Sequence, residues 1–227
     1  VRGDELDGPR GRIYLIKSML EGEQVTHKTQ QHLDRCLTCK SCETTCPSGV
    51  KYGHLVELAR PRVDQLVKRG VGARMLSWLI RQIVPYPRRF KLLLTLGQLS
   101  KPFLPQRLAE LVPSITANGF KSSTTHERTM LLHEGCAQAV VAPSINQAAR
   151  AIFDRLDVSL DSPPRVGYCG AVNLPLGDKA GAIKLAKTNI DQWLTRVESG
   201  AEGLLVASSG CAVMSQDYPS FFSDDDP

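Results

Sequence analysis

Cys36, Cys39, Cys42 and Cys46 stand in one short run, DRCLTCKSCETTCPSGV, closed by Pro47. Thiolates are soft metal ligands, and their spacing narrows the choice of metal. In C-x-x-C-x-x-C-x-x-x-C-P, three sulfurs two residues apart on a tight loop can wrap three corners of a compact iron–sulfur cube, while the fourth points elsewhere. Structural zinc usually needs two C-x-x-C knuckles separated by a dozen or more residues, and this run has no such gap. An iron–sulfur cluster is the expected occupant and zinc the alternative. Four unrelated structural cysteines are not expected at this spacing.

In two-cluster ferredoxins the last cysteine of such a run ligates the other cluster. This chain has one run. Cys36, Cys39 and Cys42 are therefore expected to hold a [4Fe–4S] cluster whose fourth ligand lies before Val1, and Cys46 to serve a neighbouring cluster. Closure of all four around a single cluster is the alternative. The full-length protein is expected to carry two clusters and this chain at most one, labile. Its first residues, VRGDELDGPRGRIY, lack both an apolar signal core and an initiator Met, and FFSDDDP ends it in an acidic loop. The reading is of an internal fragment.

The elements that must position these thiols fall into two patterns. GRIYLIKSMLEG brings Ile13, Leu15, Ile16 and Leu20 near one helical face, and THKTQQHLDRC runs as a helix into the cysteines. Residues 1–52 thus read as a small helical ferredoxin-like module. Residues 53–128 read as a basic helical connector interrupted at Pro61, Pro85, Pro87, Pro102 and Pro105, each expected to end or kink a helix. Its last part, SITANGFKSSTTHER (114–128), reads as a polar linker.

From 129 the period changes. TMLLHEGC, VSLDS and GLLVASSGC read as strands, alternating with helices in SINQAARAIFDRL and DKAGAIKLAKTNIDQWLTRVESG. Such alternation predicts a mostly parallel sheet with helices on its faces, and functional groups at the strand ends. Cys136 and Cys211 stand just past such ends and Cys169 lies in RVGYCGAV, so three separate thiols could converge. The predicted fold class is mixed α+β: a helical module and connector followed by an α/β domain at 129–227.

Seven cysteines in 227 residues are too few for a disulfide-stapled mini-domain, and four are too close together to pair easily. A reducing compartment fits, with the chain either free in the cytoplasm or peripheral at the inner face of the cell membrane. No stretch approaches the roughly 20 uncharged apolar residues of a membrane span; KLLLTLGQL is too short and Arg81 interrupts MLSWLIRQIV.

At this point the sequence resembles a known family. GDELDGPRGRIYLIK followed by HLDRCLTCKSCETTCPSGVKYGHLVELAR closely resembles the iron–sulfur subunits of bacterial glycolate oxidases, which are related to those serving lactate and glycerol-3-phosphate dehydrogenases. The resemblance implies a two-cluster helical ferredoxin module followed by domains named for a Cys-Cys-Gly motif, of which this chain holds the first, truncated. It also implies partner FAD-binding glycolate oxidase subunits. Cys36, Cys39, Cys42 and Cys46 match the family's second cysteine run. EGCAQ, GYCGAV and SSGCAV place Cys136, Cys169 and Cys211 at the Cys-Cys-Gly positions. Two departures stand out. Tyr168 replaces the paired cysteine and Pro175 a histidine that often follows, and a phenol of pKa about 10 is a poor substitute for a thiolate at a soft-metal site.

Between 51 and 110, Lys51, Arg60, Arg62, Lys68, Arg69, Arg74, Arg81, Arg88, Arg89, Lys91, Lys101 and Arg107 face only Glu57, Asp64 and Glu110. Interleaved with Leu, Ile, Trp78, Tyr86 and Phe90, they suit an anionic lipid surface or an acidic partner subunit, or form only a solvated basic face. No nucleic-acid reading motif accompanies them. His32 could donate to a cluster sulfur, though a solvent-exposed helix position is the plainer expectation, and His54, His126 and His133 lack ligand-like partners at short spacing. No phosphate loop, nucleophile elbow or paired carboxylates mark a catalytic residue. The expected role is electron transfer from a partner flavoprotein oxidising a 2-hydroxy acid to a membrane acceptor. A heterodisulfide-reductase-type subunit is the alternative, and a zinc-bearing scaffold the third reading.

Overall fold

A computed structural model describes residues 3–110, 112–113, 125–163 and 168–222. Most of the expected linker (114–124), the loop before Tyr168 and the acidic end from 223 lie outside the described residues. The chain divides into two compact units, residues 1–77 with 174–178, and residues 78–173 with 179–227.

The first unit is helical. A 3-10 turn (Glu5–Asp7) leads into α1 (Pro9–Leu20), where Pro9 occupies the first helical turn, a position that needs no backbone donor. Gly11 is required there: a Cβ would lie 2.6 Å from Leu6 Cα of the preceding turn. Ile16 is buried, whereas Leu20, the helix's last residue, is 77 % exposed, so the expected apolar face is shorter than its sequence pattern. α2 (His27–Asp34) opens on a reciprocal capping box in which the Thr26 and Thr29 side chains each accept from the other's backbone N–H. α3 (Ser41–Thr44) is one turn within the cysteine run, and α4 (Tyr52–Leu66) packs on α1 and α2. The core is Ile16, Leu33, Cys36, Tyr52, Val56, Ala59 and Val63, so the first cysteine is itself a core residue.

Pro61 lies inside α4 and does not end it. It removes one donor from the ladder, but buried Ala59, Arg60 and Val63 on either side anchor the helix, and tertiary packing overrides the local preference. The other prolines behave as expected. Pro85 separates α5 (Val71–Ile83) from α6 (Pro87–Ser100), Pro87 starts α6, Pro102 sits in a 3-10 turn, and Pro105 precedes α7 (Gln106–Ala109).

The second unit carries a three-stranded sheet in the order β2-β1-β3, with β1 (Arg128–His133), β2 (Val158–Asp161) and β3 (Leu204–Val206) all parallel. α8 (Gln138–Val141) and α9 (Pro143–Asp154) connect β1 to β2. α10 (Lys179–Glu198) lies between β2 and β3, and α11 (Ser209–Gln216) follows β3. Arg128 pairs with Val158 and Leu131 with Leu204, leaving Leu131 and Leu132 of the central strand fully buried. Mixed architecture with a parallel sheet is what the alternating periods predict. Because the chain leaves β1 for one neighbour and later returns to pair on its other side, the carboxyl ends of β1 and β3 form a topological switch point, where sheets of this kind place their ligand crevice.

Candidate functional site

The first thiol group is built by backbone geometry. Thr38 and Lys40 both adopt φ of 54°, a left-handed turn between successive cysteines that side chains rarely occupy. It turns N–H groups toward sulfur: Thr38 N–H donates to Cys36 Sγ at 3.4 Å. The backbone and hydroxyl of Ser41 hold Cys39 below the usual thiol range, and N–H groups of Val50, Ser48 and Gly49 do the same for Cys46. Burial pushes Cys42 up instead. Amides aimed at sulfur stabilise thiolate, the form in which cysteine binds iron, and they tune a bound cluster's potential.

Two charged side chains fix this loop. Buried Arg60 on α4 donates Nη2 to the carbonyls of Leu33, at 2.9 Å, and Cys36, and Nη1 to Thr38 Oγ1 at 3.1 Å. Glu43 accepts from Gly53 N–H and so caps the first turn of α4, where an anion is favoured. Gly53 leaves the space: a Cβ there would meet the Glu43 carboxylate at 2.9 Å. Arg60 and Arg69 are structural members of the basic stretch, since Arg69 bridges Asp34, at 2.7 Å, and Asp64, at 2.8 Å.

His32 corrects the expectation of an exposed helix position. It is buried, its Nδ1 lies 2.8 Å from Asp7 Oδ1, and Arg35 reaches the other Asp7 oxygen at 2.9 Å. Arg12 donates to its carbonyl at 2.7 Å. These partners hold the Asp7 carboxyl below its ordinary range, His32 first and Arg35 after it. The network joins the 3-10 turn to α1 and α2.

The second group lies at the switch point beyond β1 and β3. Cys169 Sγ and Cys211 Sγ are 3.2 Å apart. Cys211 sits in the first turn of α11; the Cys169 thiol donating to it, then His133 and Ser208, favours its thiolate, and Cys169 correspondingly keeps its proton. Cys136 is pushed up to about 11 by burial and by the charge on Cys211. Behind the pair, Asn189 of α10 donates to the Tyr168 carbonyl at 2.8 Å and to Tyr218 Oη at 2.9 Å, and Tyr218 donates to the Cys169 carbonyl at 3.0 Å. The Tyr168 ring meets Tyr86 at 5.4 Å and a tilt of 52°, and burial, then the nearby Cys136, push its phenol up.

The sequence reading passed over His133 because its partners are distant in the chain. Its ring nitrogens and the sulfurs of Cys169 and Cys211 lie within 4.8 Å of one another. His126 instead pairs with Asp154 at 3.0 Å. Among the described residues no three of Cys36, Cys39, Cys42 and Cys46 reach the 4.8 Å spacing. Two thiolates bound at about 2.3 Å to one tetrahedral ion sit about 3.8 Å apart. As described, the run does not bring three sulfurs to the mutual spacing of ligands on one tetrahedral ion.

Residues 3–51 match the 4Fe-4S dicluster domain and residues 130–215 the cysteine-rich domain. The chain is 45 % identical over 98 % of its length to the glycolate oxidase iron–sulfur subunit of Escherichia coli (strain K12). It is 25 % identical over 97 % of its length to the probable glycolate oxidase iron–sulfur subunit of Bacillus subtilis (strain 168). It spans 55 % of each, about half the length of these relatives. No solved structure matches. The four-cysteine run thus falls within the match to the 4Fe-4S dicluster domain and the other three cysteines within the match to the cysteine-rich domain, and the chain is similar over nearly its whole length to glycolate oxidase iron–sulfur subunits.

Proposed function

We propose that this chain is the electron-transfer part of a 2-hydroxy acid oxidase, with residues 1–52 as cluster module, 53–128 as connector and 129–227 as cysteine-rich domain. Cys36, Cys39 and Cys42 hold one [4Fe–4S] cluster and Cys46 ligates its neighbour. A bound cluster supplies one-electron redox chemistry at low reorganisation. The chain's own groups orient the sulfurs through the left-handed loop, direct N–H groups at them, and exclude water from Cys36. The loop geometry, amides facing sulfur and Arg60 pinning the carbonyls, carries this reading.

A flavoprotein partner of the FAD-binding glycolate oxidase type oxidises the hydroxy acid and passes single electrons to these clusters, which pass them to a membrane acceptor. Anaerobic mixing of the full-length subunit, its flavoprotein partner and glycolate is expected to bleach the cluster absorption. Clusters that stay oxidised while dithionite reduces them contradict the relay.

Peripheral membrane contact is part of the same proposal. No helix of the described residues is long and apolar enough to cross a membrane. α5 buries no residue and exposes Val71, Met75, Leu76, Trp78 and Leu79 beside Arg74 and Arg81. An amphipathic basic helix of this kind binds anionic interfaces. Vesicles containing anionic phospholipid are expected to sediment the chain at low salt and to blue-shift Trp emission, with at least about tenfold weaker binding to neutral vesicles. Equal binding to both, or none, contradicts it.

A further inference from the structure

We infer that the Tyr52 hydroxyl donates a hydrogen bond to the Cys36 sulfur once that sulfur ligates iron, and that this bond raises the reduction potential of the cluster Cys36 holds. Tyr52 thereby enters the cluster reading of the first cysteine run, on which its role rests.

Three observations carry this. Tyr52, the first residue of α4, is 5 % exposed and packs with Cys36 in one core whose other members are Ile16, Leu33, Val56, Ala59 and Val63. Those members are aliphatic, so a phenylalanine would fill the same place without burying a polar atom. The Tyr52 hydroxyl is buried as well and, among the described residues, closes no hydrogen bond. A buried polar group in that state is rare and needs a reason; an acceptor that gains its charge when a cofactor binds supplies one.

The second observation is what the hydroxyl faces. Burial, then the Cys36 sulfur beside it, hold the phenol's pKa well above its ordinary range, and the buried Arg12 guanidinium opposes them. Its neighbours are thus a sulfur able to accept and a cation that polarises the O–H bond. The third observation is the setting of that sulfur. Cys36 is the buried cysteine of the run, whereas Cys39 is exposed and Cys42 and Cys46 are half-buried. Thr38 N–H donates to it at 3.4 Å. A buried thiolate, out of reach of water, depends on protein donors for the rest of its stabilisation. One-electron reduction adds negative charge to the sulfurs of a bound cluster, so a donor already in place favours the reduced form and moves the potential up.

An anaerobic redox titration followed by low-temperature electron paramagnetic resonance tests this, on the reconstituted full-length subunit and its Tyr52→Phe variant. The variant keeps the ring in the core and deletes only the hydroxyl. Equal iron and acid-labile sulfide are expected in both, with the midpoint potential of one cluster shifted to more negative values in the variant and that of the other unmoved. Electron nuclear double resonance after exchange into deuterium oxide gives a direct signature: the reduced parent is expected to show one exchangeable proton coupled to that cluster that the variant lacks. A loaded variant whose potentials and exchangeable couplings match the parent's overturns the role given to Tyr52 and leaves the cluster reading standing. So does a variant that fails to take up iron, which assigns the hydroxyl to assembly instead of to the potential. A parent that takes up no iron and sulfide contradicts the cluster reading, and the role of Tyr52 falls with it.

Discussion

Replacing Arg60 by alanine is expected to destabilise the first unit by about 2–4 kcal/mol, from lost charge-assisted hydrogen bonds to buried carbonyls and the lost packing of its buried stem. The same change is expected to abolish cluster retention. Arg60 is 9 % exposed, and its guanidinium serves the carbonyls of Leu33 and Cys36 and the hydroxyl of Thr38. Truncation takes the Arg60 donor from the Cys36 carbonyl, at about 1–3 kcal/mol, leaves the Leu33 carbonyl with Cys36 N–H alone, and frees the loop whose φ values aim N–H groups at sulfur. Arg60→Lys is expected to recover only part of the loss, because an ammonium cannot present the planar fork. Thermal denaturation with iron content after gel filtration reads both effects. A variant within about 1 kcal/mol of the parent that keeps its iron contradicts the role given to Arg60.

Gly170→Ala is expected to be the most damaging single-methyl change in the second unit. Gly170 has φ of +87°, and an added Cβ would stand 3.0 Å from Met214 Cε and 3.1 Å from Ala182 Cα. Met214 can rotate away, but the Ala182 contact is helix backbone and cannot. Left-handed strain of about 1–2 kcal/mol adds to overpacking of about 1–3 kcal/mol, so a loss of about 2–5 kcal/mol is expected. Denaturant unfolding followed by Trp fluorescence measures it, since Trp193 lies on the aromatic layer beside Cys169. A loss below about 0.5 kcal/mol contradicts the close packing at this glycine.

The contrast between Arg60 and the cysteines it serves shows what a sequence makes legible. Spacing within eleven residues was enough to mark the thiol run, because loop geometry and ligand chemistry are both local. The change from period 3.6 to period 2 likewise marked β1, β2 and β3 and the helices between them. Arg60 looked like one charge in a basic stretch; only the fold brings it to Leu33, Cys36 and Thr38. His133 reads as a strand residue until Cys169 arrives from a later loop and Cys211 from the first turn of α11. Asn189 and Tyr218, which hold the Tyr168 and Cys169 carbonyls, gave no motif because these partners are backbone groups distant in the chain. Pro61 misled for the opposite reason, since a local helix-breaking rule lost to tertiary packing of Val56, Ala59 and Val63.

The decisive measurement is iron and acid-labile sulfide, with the low-temperature electron paramagnetic resonance spectrum after reduction, on anaerobically reconstituted protein and its Cys39→Ser variant. The expected result is up to one [4Fe–4S] cluster per chain, lost in the variant. Zinc held at these cysteines instead, or iron and sulfide unchanged by Cys39→Ser, contradicts it.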